Sequence, residues 1–260
     1  MSARRTALAA TAFAVAGACA SFASGQADTR RSGAEFMSPA TQAIERDDTQ
    51  NPAMLWVADG EALWIRKAGR AGRACVDCHG DARISMRGVA ARYPAFDAVA
   101  GRPVDLGQRV DLCAQRHQQA ESLPPESGPR LALESYVALQ SRGMPIAPPA
   151  DPRLDAWRDR GDALYRQRIG LLDLACEQCH DALSGRRLGG SVIPQAHPTG
   201  YPIYRLEWQT MGSLQRRLRS CMSGVRAEVP PYGAPELVEL ELHLMSRAAG
   251  MAVDAPGVRP

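Results

Sequence analysis

The sequence predicts an all-α protein built from two tandem helical domains related by internal duplication. Three observations carry that reading. The pentapeptide Cys75-Val76-Asp77-Cys78-His79 returns as Cys176-Glu177-Gln178-Cys179-His180, 101 residues later. Each copy is followed by a lone cysteine four residues after an arginine: Arg109 and Cys113 in the first half, Arg217 and Cys221 in the second. Each half also carries a Tyr-Pro step, Tyr93-Pro94 and Tyr201-Pro202, and closes on a helix-patterned run, 133–144 and 237–251. Similarity that runs through several features in one order describes the whole chain as two copies rather than one recurring motif.

The elements follow in chain order. Residues 1–27 read as a cleaved secretory signal: Arg4-Arg5, an apolar run over 7–20, then small residues ending at Ala27. That run is shorter than the ~20 residues a membrane span needs, and no other stretch is long and apolar enough to span. Residues 28–51 are polar and read as an extended or loosely packed leading segment. A helix follows over 51–70, with Leu55, Ala58, Ala62 and Ile65 as its packed side and Gly60 weakening its middle. Its counterpart spans 155–174, with Trp157, Leu164, Tyr165, Ile169 and Leu172 facing inward. Between the halves, 146–152 holds Pro148, Pro149 and Pro152, which block a helix and favour an extended connector. The domains are therefore 28–147 and 148–260. The Gly- and Pro-rich stretch 185–200 reads as an irregular loop.

Composition narrows the function. With 260 residues and a net charge of +3, the chain is long enough for two ordinary domains and too mildly basic to point to nucleic acid. Removal of the signal takes Cys19 and leaves six cysteines. An even number in an exported chain ordinarily suggests disulfides, but Cys-x-x-Cys-His is the covalent haem-attachment signature, in which two thiols bond the vinyl groups and the histidine ligates iron. Cys75 and Cys78, and Cys176 and Cys179, are the expected attachment residues of two covalently attached c-type haems. His79 and His180 are the expected iron ligands. The halves are accordingly two tandem cytochrome c-type haem domains. For the sixth iron position, the spare histidines His117, His197 and His243 have no counterparts in the other half, whereas Cys113 and Cys221 correspond, which favours thiolate ligation of both irons. A disulfide between these two cysteines, or ligation by a methionine such as Met144, Met211 or Met222, are the alternatives. Around Cys221 stand Arg216, Arg217, Arg219 and Arg226. Guanidiniums there favour a thiolate and fit a small dianion, although a solvated arginine face has the same pattern. Near Cys113 the charges are Arg109, Arg116 and the opposing Asp111.

Two Cys-x-x-Cys-His motifs, the later lone cysteines, and above all the run Arg217-Leu218-Arg219-Ser220-Cys221-Met222-Ser223-Gly224-Val225-Arg226-Ala227 resemble the SoxA family. Its members are dihaem subunits of the bacterial thiosulfate-oxidising system. The resemblance implies an L-cysteine S-thiosulfotransferase that works in the periplasm as a heterodimer with the monohaem cytochrome SoxX. It implies thiosulfate as substrate, a cysteine of the carrier SoxYZ as acceptor of the sulfur, and a c-type cytochrome as acceptor of the electrons. Carried over by position, Cys221 is the catalytic cysteine, found as a persulfide, and the distal ligand of the second haem; Arg217 binds substrate; Cys113 is the distal ligand of the first. Two other readings stand beside this one. One is a dihaem electron carrier without sulfur chemistry. The other is a dihaem peroxidase, which thiolates on both irons oppose.

Overall fold

Residues 28–260 are described here from a computed structural model; the signal expected over 1–27 lies outside the described residues. The leading segment is tightly held rather than loose. Ser32 caps a 3-10 turn (Gly33–Phe36), and Ser38 caps helix α1 (Pro39–Arg46). The polar residues that give this segment its unstructured look in sequence are those that tie it to the other end of the chain. Ser32 Oγ donates to Asp254 at 2.7 Å, Asn51 Nδ2 to the Pro256 carbonyl at 3.2 Å, and Glu45 accepts from the Val258 amide and pairs with Arg259.

Helix α2 (Ala53–Ile65) ends five residues earlier than expected, and it turns a different side inward. Leu55 and Ile65 are 69% and 64% exposed, whereas Ala53, Val57, Gly60 and Trp64 are buried. Gly60 decides this. A Cβ there would run into the Ala132 carbonyl oxygen and the Tyr136 side chain, so the glycine marks the point where two backbones touch. A glycine that lowers helix propensity in isolation fixes the helix's orientation in the fold. After it come the short helices α3 (Val76–His79) and α4 (Ala82–Ser85), an antiparallel pair β1 (Ala95–Asp97) and β2 (Arg102–Val104), then α5 (Leu106–Cys113), whose N-terminus is closed by an Asp105/Gln108 capping box. Helix α6 (Gly128–Leu139) is the one that crosses α2 at Gly60.

The second half repeats the order. Helix α7 (Asp155–Arg166) leads to α8 (Cys176–His180) and a small hairpin of β3 (Arg187–Leu188) and β4 (Ser191–Val192), where a featureless loop is expected from sequence. Strand β5 (Ile203–Arg205) pairs antiparallel with β6 (Thr210–Gly212), which leads into α9 (Leu214–Gly224), capped by Ser213, and α10 (Pro235–Arg247). The C-terminal β7 (Gly257–Arg259) lies parallel to β5. Helix α7 crosses α10 at Gly161, where a Cβ would meet the Glu239 carbonyl oxygen. Tyr165 is buried on that side, while Leu172 lies beyond the end of the helix and is half exposed. The architecture is therefore helix-rich but not all-α. Strands of two and three residues are too short to write a period of two into the sequence.

The expected connector is non-helical over 146–151, and its first residue belongs to the core. Ile146 is 2% exposed, its amide donates to the Met251 carbonyl and its carbonyl accepts from the Gly250 amide, both at 2.8 Å. Beneath this seam four helices bring polar groups together. Gln215 Nε2 donates to Asp105 at 2.6 Å, Arg130 Nε to Glu134 at 3.1 Å, and Glu241 faces the same small cavity. Burial pushes all three carboxyls up, Glu134 to about 8, against the opposing pull of Arg130.

Two outcomes follow. Replacing Gly60 or Gly161 with alanine gains at most about 1 kcal/mol of helix propensity, but forces the paired backbones apart at a cost of about 1–3 kcal/mol; thermal unfolding of each haem-loaded variant reads a net loss. A carboxyl whose folded pKa lies above its unfolded one stabilises below the unfolded value and loses that contribution as pH rises through the folded value. Melting temperature measured from pH 4.5 to 8 thus falls for the wild type, and falls less for Glu134→Gln.

Candidate active site

The first cavity, about 460 Å³, is lined by Cys75, Cys78, His79 and Cys113 with an apolar set that includes Trp64, Met86, Leu106 and Val137. Asp77 accepts from the Ala74 amide at 2.8 Å and closes the turn that presents the two thiols. Trp64 donates to the Gly80 carbonyl at 3.0 Å, and its ring lies 5.7 Å from that of His79. Cys113 ends α5, with Arg109 one turn below it. The balancing acid is not the Asp111 singled out from sequence, which instead accepts from Gln115, Ser122 and the Leu123 amide. It is Asp97, the last residue of β1 and 3% exposed, which pairs with Arg109 at 2.6 Å and with Arg116 at 2.8 Å. The Arg116 hydrogen bond above all, with Arg109 beside it, holds the Asp97 carboxyl far below its usual range. With both guanidiniums engaged, burial prevails at Cys113 and pushes its thiol up.

The second cavity, about 570 Å³, is lined by His180, Cys221, Arg217 and Arg205, and, as in the first, no Asp or Glu side chain is among its lining residues. His180 Nδ1 lies 2.7 Å from the Pro194 carbonyl; the proton that makes this hydrogen bond leaves the lone pair on Nε2, the tautomer an iron ligand needs. Cys176 and Cys179 stand on the same short helix as His180, and Cys176 packs against Tyr165 and Leu240. Burial alone would raise the Cys221 thiol, but His180 beside it, Arg217 and Arg205 overcome this and bring the thiol below its ordinary value. The two cysteines thus move in opposite directions in matching frames. They line separate cavities, and all six cysteines of the described residues are free thiols.

The nest of arginines resolves into one. Arg216 lies over the Trp208 ring at 4.1 Å and donates to the Met211 carbonyl; Arg219 lies over Tyr232 at 4.2 Å and donates to the Pro230 carbonyl; Arg226, at φ 57°, ends the turn after α9. Of these four only Arg217 lines the cavity, and it has no ion pair among the described residues. Arg205 was not singled out from sequence. The signal lies in the Tyr-Pro register: four residues after Tyr93 comes Asp97, and four after Tyr201 comes Arg205. Of the spare histidines, His197 also lines the second cavity and His117 the first. His197 Nδ1 meets the Arg31 carbonyl at 3.0 Å, His243 packs on Tyr165, and His117 is exposed at the rim of the first cavity. Met211 is fully buried in a core cluster, and Met222 packs beside Leu240.

Helices that carry two Cys-x-x-Cys-His turns, each leading to a cavity shared by its histidine and a cysteine one turn above an arginine, define a c-type cytochrome with covalently bound haem. The comparisons narrow the class. A family model described as SoxA/TsdA, cytochrome c domain, matches residues 59–146. The L-cysteine S-thiosulfotransferase subunit SoxA of Pseudaminobacter salicylatoxidans is 36% identical over 233 residues, 89% of this chain and 82% of that protein. The protein of the same name from Rhodovulum sulfidophilum is 34% identical, over 89% and 81%. The crystal structure of SoxXA from P. pantotrophus superposes with a TM-score of 0.85 at 31% identity, over 89% of this chain and 87% of that one. The chain belongs to the SoxA family.

Asp97→Asn leaves Arg109 and Arg116 without their partner in a half-buried setting, an expected loss of about 2–3 kcal/mol. Asp111→Asn, at a carboxylate that pairs with no arginine, is expected to be mild, and denaturant unfolding of the two haem-loaded variants side by side checks the difference.

Proposed function

We propose that this chain is the dihaem subunit of an L-cysteine S-thiosulfotransferase, acting with a SoxX-type monohaem cytochrome to conjugate thiosulfate oxidatively to a cysteine of the carrier SoxYZ. The observation that carries the reading is the placement of Cys221 one turn above Arg217 in a cavity that His180 and Arg205 also line, where its thiol is brought below its ordinary value. The corresponding thiol, Cys113, is raised.

Cys75 and Cys78 attach the first haem, with His79 and Cys113 as its iron ligands. Cys176 and Cys179 attach the second, with His180 and Cys221. Domains 28–147 and 148–260 descend from one duplicated unit. Supporting this, Gly60 and Gly161 occupy matching helix crossings, and the order cis Tyr-Pro, strand, capped helix, arginine, cysteine is common to both halves. The mature protein works in the periplasm after loss of 1–27; no helix of the described residues is long and apolar enough to cross a membrane.

The chemistry of the residues is as follows. Arg217 holds the sulfonate end of the thiosulfate dianion by forked hydrogen bonds. The Cys221 thiolate forms a sulfur–sulfur bond with the sulfane sulfur of thiosulfate, and two electrons leave. The bound haem supplies the path by which those electrons pass singly to SoxX and then to c-type cytochromes. The carrier's thiolate attacks the same sulfane sulfur, the bond to Cys221 breaks, and Cys221 departs as thiolate. In sum, one carrier thiol and one thiosulfate give the carrier thiosulfonate, two electrons and one proton.

The mass of tryptic peptide 220–226, which contains Cys221 as its only cysteine, tests this in haem-loaded protein kept free of reductant. Exposure to thiosulfate is expected to add sulfur or a thiosulfonate there and nothing to peptide 110–116, which bears Cys113. An unmodified Cys221 under both conditions leaves the dihaem electron carrier as the better reading. Arg217→Ala is expected to lower kcat/KM for thiosulfate by roughly a hundredfold, the worth of a forked ionic hydrogen bond.

A further inference from the structure

The second cavity contains more cationic groups than the sulfur chemistry of Arg217 alone requires. Four arginines line it: Arg187, Arg205, Arg217 and Arg259. Two are accounted for. Arg259 is paired with Glu45, and Arg187 lies on the exposed β3–β4 hairpin. Arg205 remains. It is the last residue of β5, and its side chain is 11% exposed. Its Nε is fully buried and has no hydrogen-bond partner. One Nη meets Glu207 at 2.8 Å, but that carboxylate is 66% exposed, and ion pairs with such well-hydrated groups are weak.

From these placements we propose that Arg205 is a second substrate-binding residue, forming with Arg217 a two-guanidinium seat for a tetrahedral sulfur oxyanion over the Cys221 thiol. The inference rests on the transferase reading for its substrate, and on the cavity alone for its chemistry. Two guanidiniums that share a cavity repel each other, and that arrangement is unfavourable unless an anion joins them. Burial, and then Arg217, disfavour the charged form of Arg205. A dianion such as thiosulfate or sulfate relieves both effects at once and satisfies the orphaned Nε. The other half gives the internal comparison. At the matching strand end stands Asp97, which binds Arg109 and Arg116 and cancels the charge beside Cys113. Acid at one strand end leaves Arg109 paired, whereas base at the other leaves Arg205 and Arg217 side by side without a buried carboxylate between them.

The test is equilibrium dialysis of sodium sulfate and sodium thiosulfate against the haem-loaded protein in complex with its monohaem partner cytochrome. Wild type is expected to bind both anions. Arg205→Gln is expected to weaken binding roughly tenfold or more, the worth of one charge-assisted hydrogen bond pair. Arg205→Lys, which keeps the charge but loses the fork and also serves if the glutamine variant does not fold, is expected to weaken it severalfold. KM for thiosulfate should rise in parallel with kcat little changed, and the absorption spectrum and reduction potential of the second haem should stay as in wild type. Unchanged anion affinity in both variants overturns the proposal. So does a shifted haem potential with unchanged affinity, which would make Arg205 a partner of the haem propionates, and so does a wild type that binds neither anion. Sulfate binding lost with Arg205 in a protein that conjugates no thiosulfate would uphold the seat and sink the transferase reading. Conjugation that is indifferent to Arg205, with unchanged anion affinity, would do the reverse.

Discussion

Everything in this molecule hangs from two places where helix backbones touch. At Gly60 against Ala132, and again at Gly161 against Glu239, the missing side chain lets a helix from the start of each half lie directly on the helix that closes it. The pair is then close enough to bury one narrow face each, Val57 and Trp64 in the first half and Tyr165 in the second. Trp64 and Tyr165 in turn steady the attachment turns: Trp64 donates to Gly80, and the Tyr165 hydroxyl to Asp181 at 3.0 Å. Each of those partners directly follows its histidine. The helix crossing therefore bears on where His79 and His180 stand, through one aromatic residue in each half.

On that common frame the two halves differ by the sign of one residue. The strand after the cis Tyr-Pro step ends in Asp97 or in Arg205, and the capped helix that follows carries Arg109 and Cys113, or Arg217 and Cys221. In the first half the carboxylate takes up the arginines, and burial governs the thiol. In the second the added cation acts with Arg217 and His180 to outweigh burial. The order of elements is shared between the halves while the charge at the strand end is not, so the two cysteines meet different electrostatic surroundings.

How much of this could be read in the sequence follows from the length scale of each feature. The haem motifs, the two lone cysteines and the arginine a turn before each are local patterns with a covalent or helical reason for their spacing, and they stand where the pattern put them. The inward face of α2 did not, because Leu55 and Ile65 match helical spacing as well as Val57 and Trp64 do. Only the position of Ala132 in space chooses Gly60 as the centre. The arginine nest misled for a related reason. Arg216 and Arg219 are adjacent to the cysteine in sequence, but Trp208 and Tyr232 draw them to other faces of the helix. The polar leading segment and the proline-rich connector look loose because their hydrogen-bond partners lie about two hundred and one hundred residues away respectively. Pairings at that distance leave no local mark.

The wall between the cavities completes the electrostatic argument. Tyr93 and Leu106 line both the first cavity and the small polar cavity at the centre, and Tyr201 and Leu214 line both that centre and the second. The carboxyls of Glu134 and Glu241 thus lie one side chain behind the site that holds Arg217. If they were ionised, two buried negative charges at that range would offset the field of the two guanidiniums, since charges inside a protein are poorly screened. Burial keeps their protons on near neutral pH, with Glu134 raised to about 8 and Glu241 well above its usual value. The acid cluster ties the halves together through the Gln215–Asp105 hydrogen bond yet contributes little charge next to the two guanidiniums.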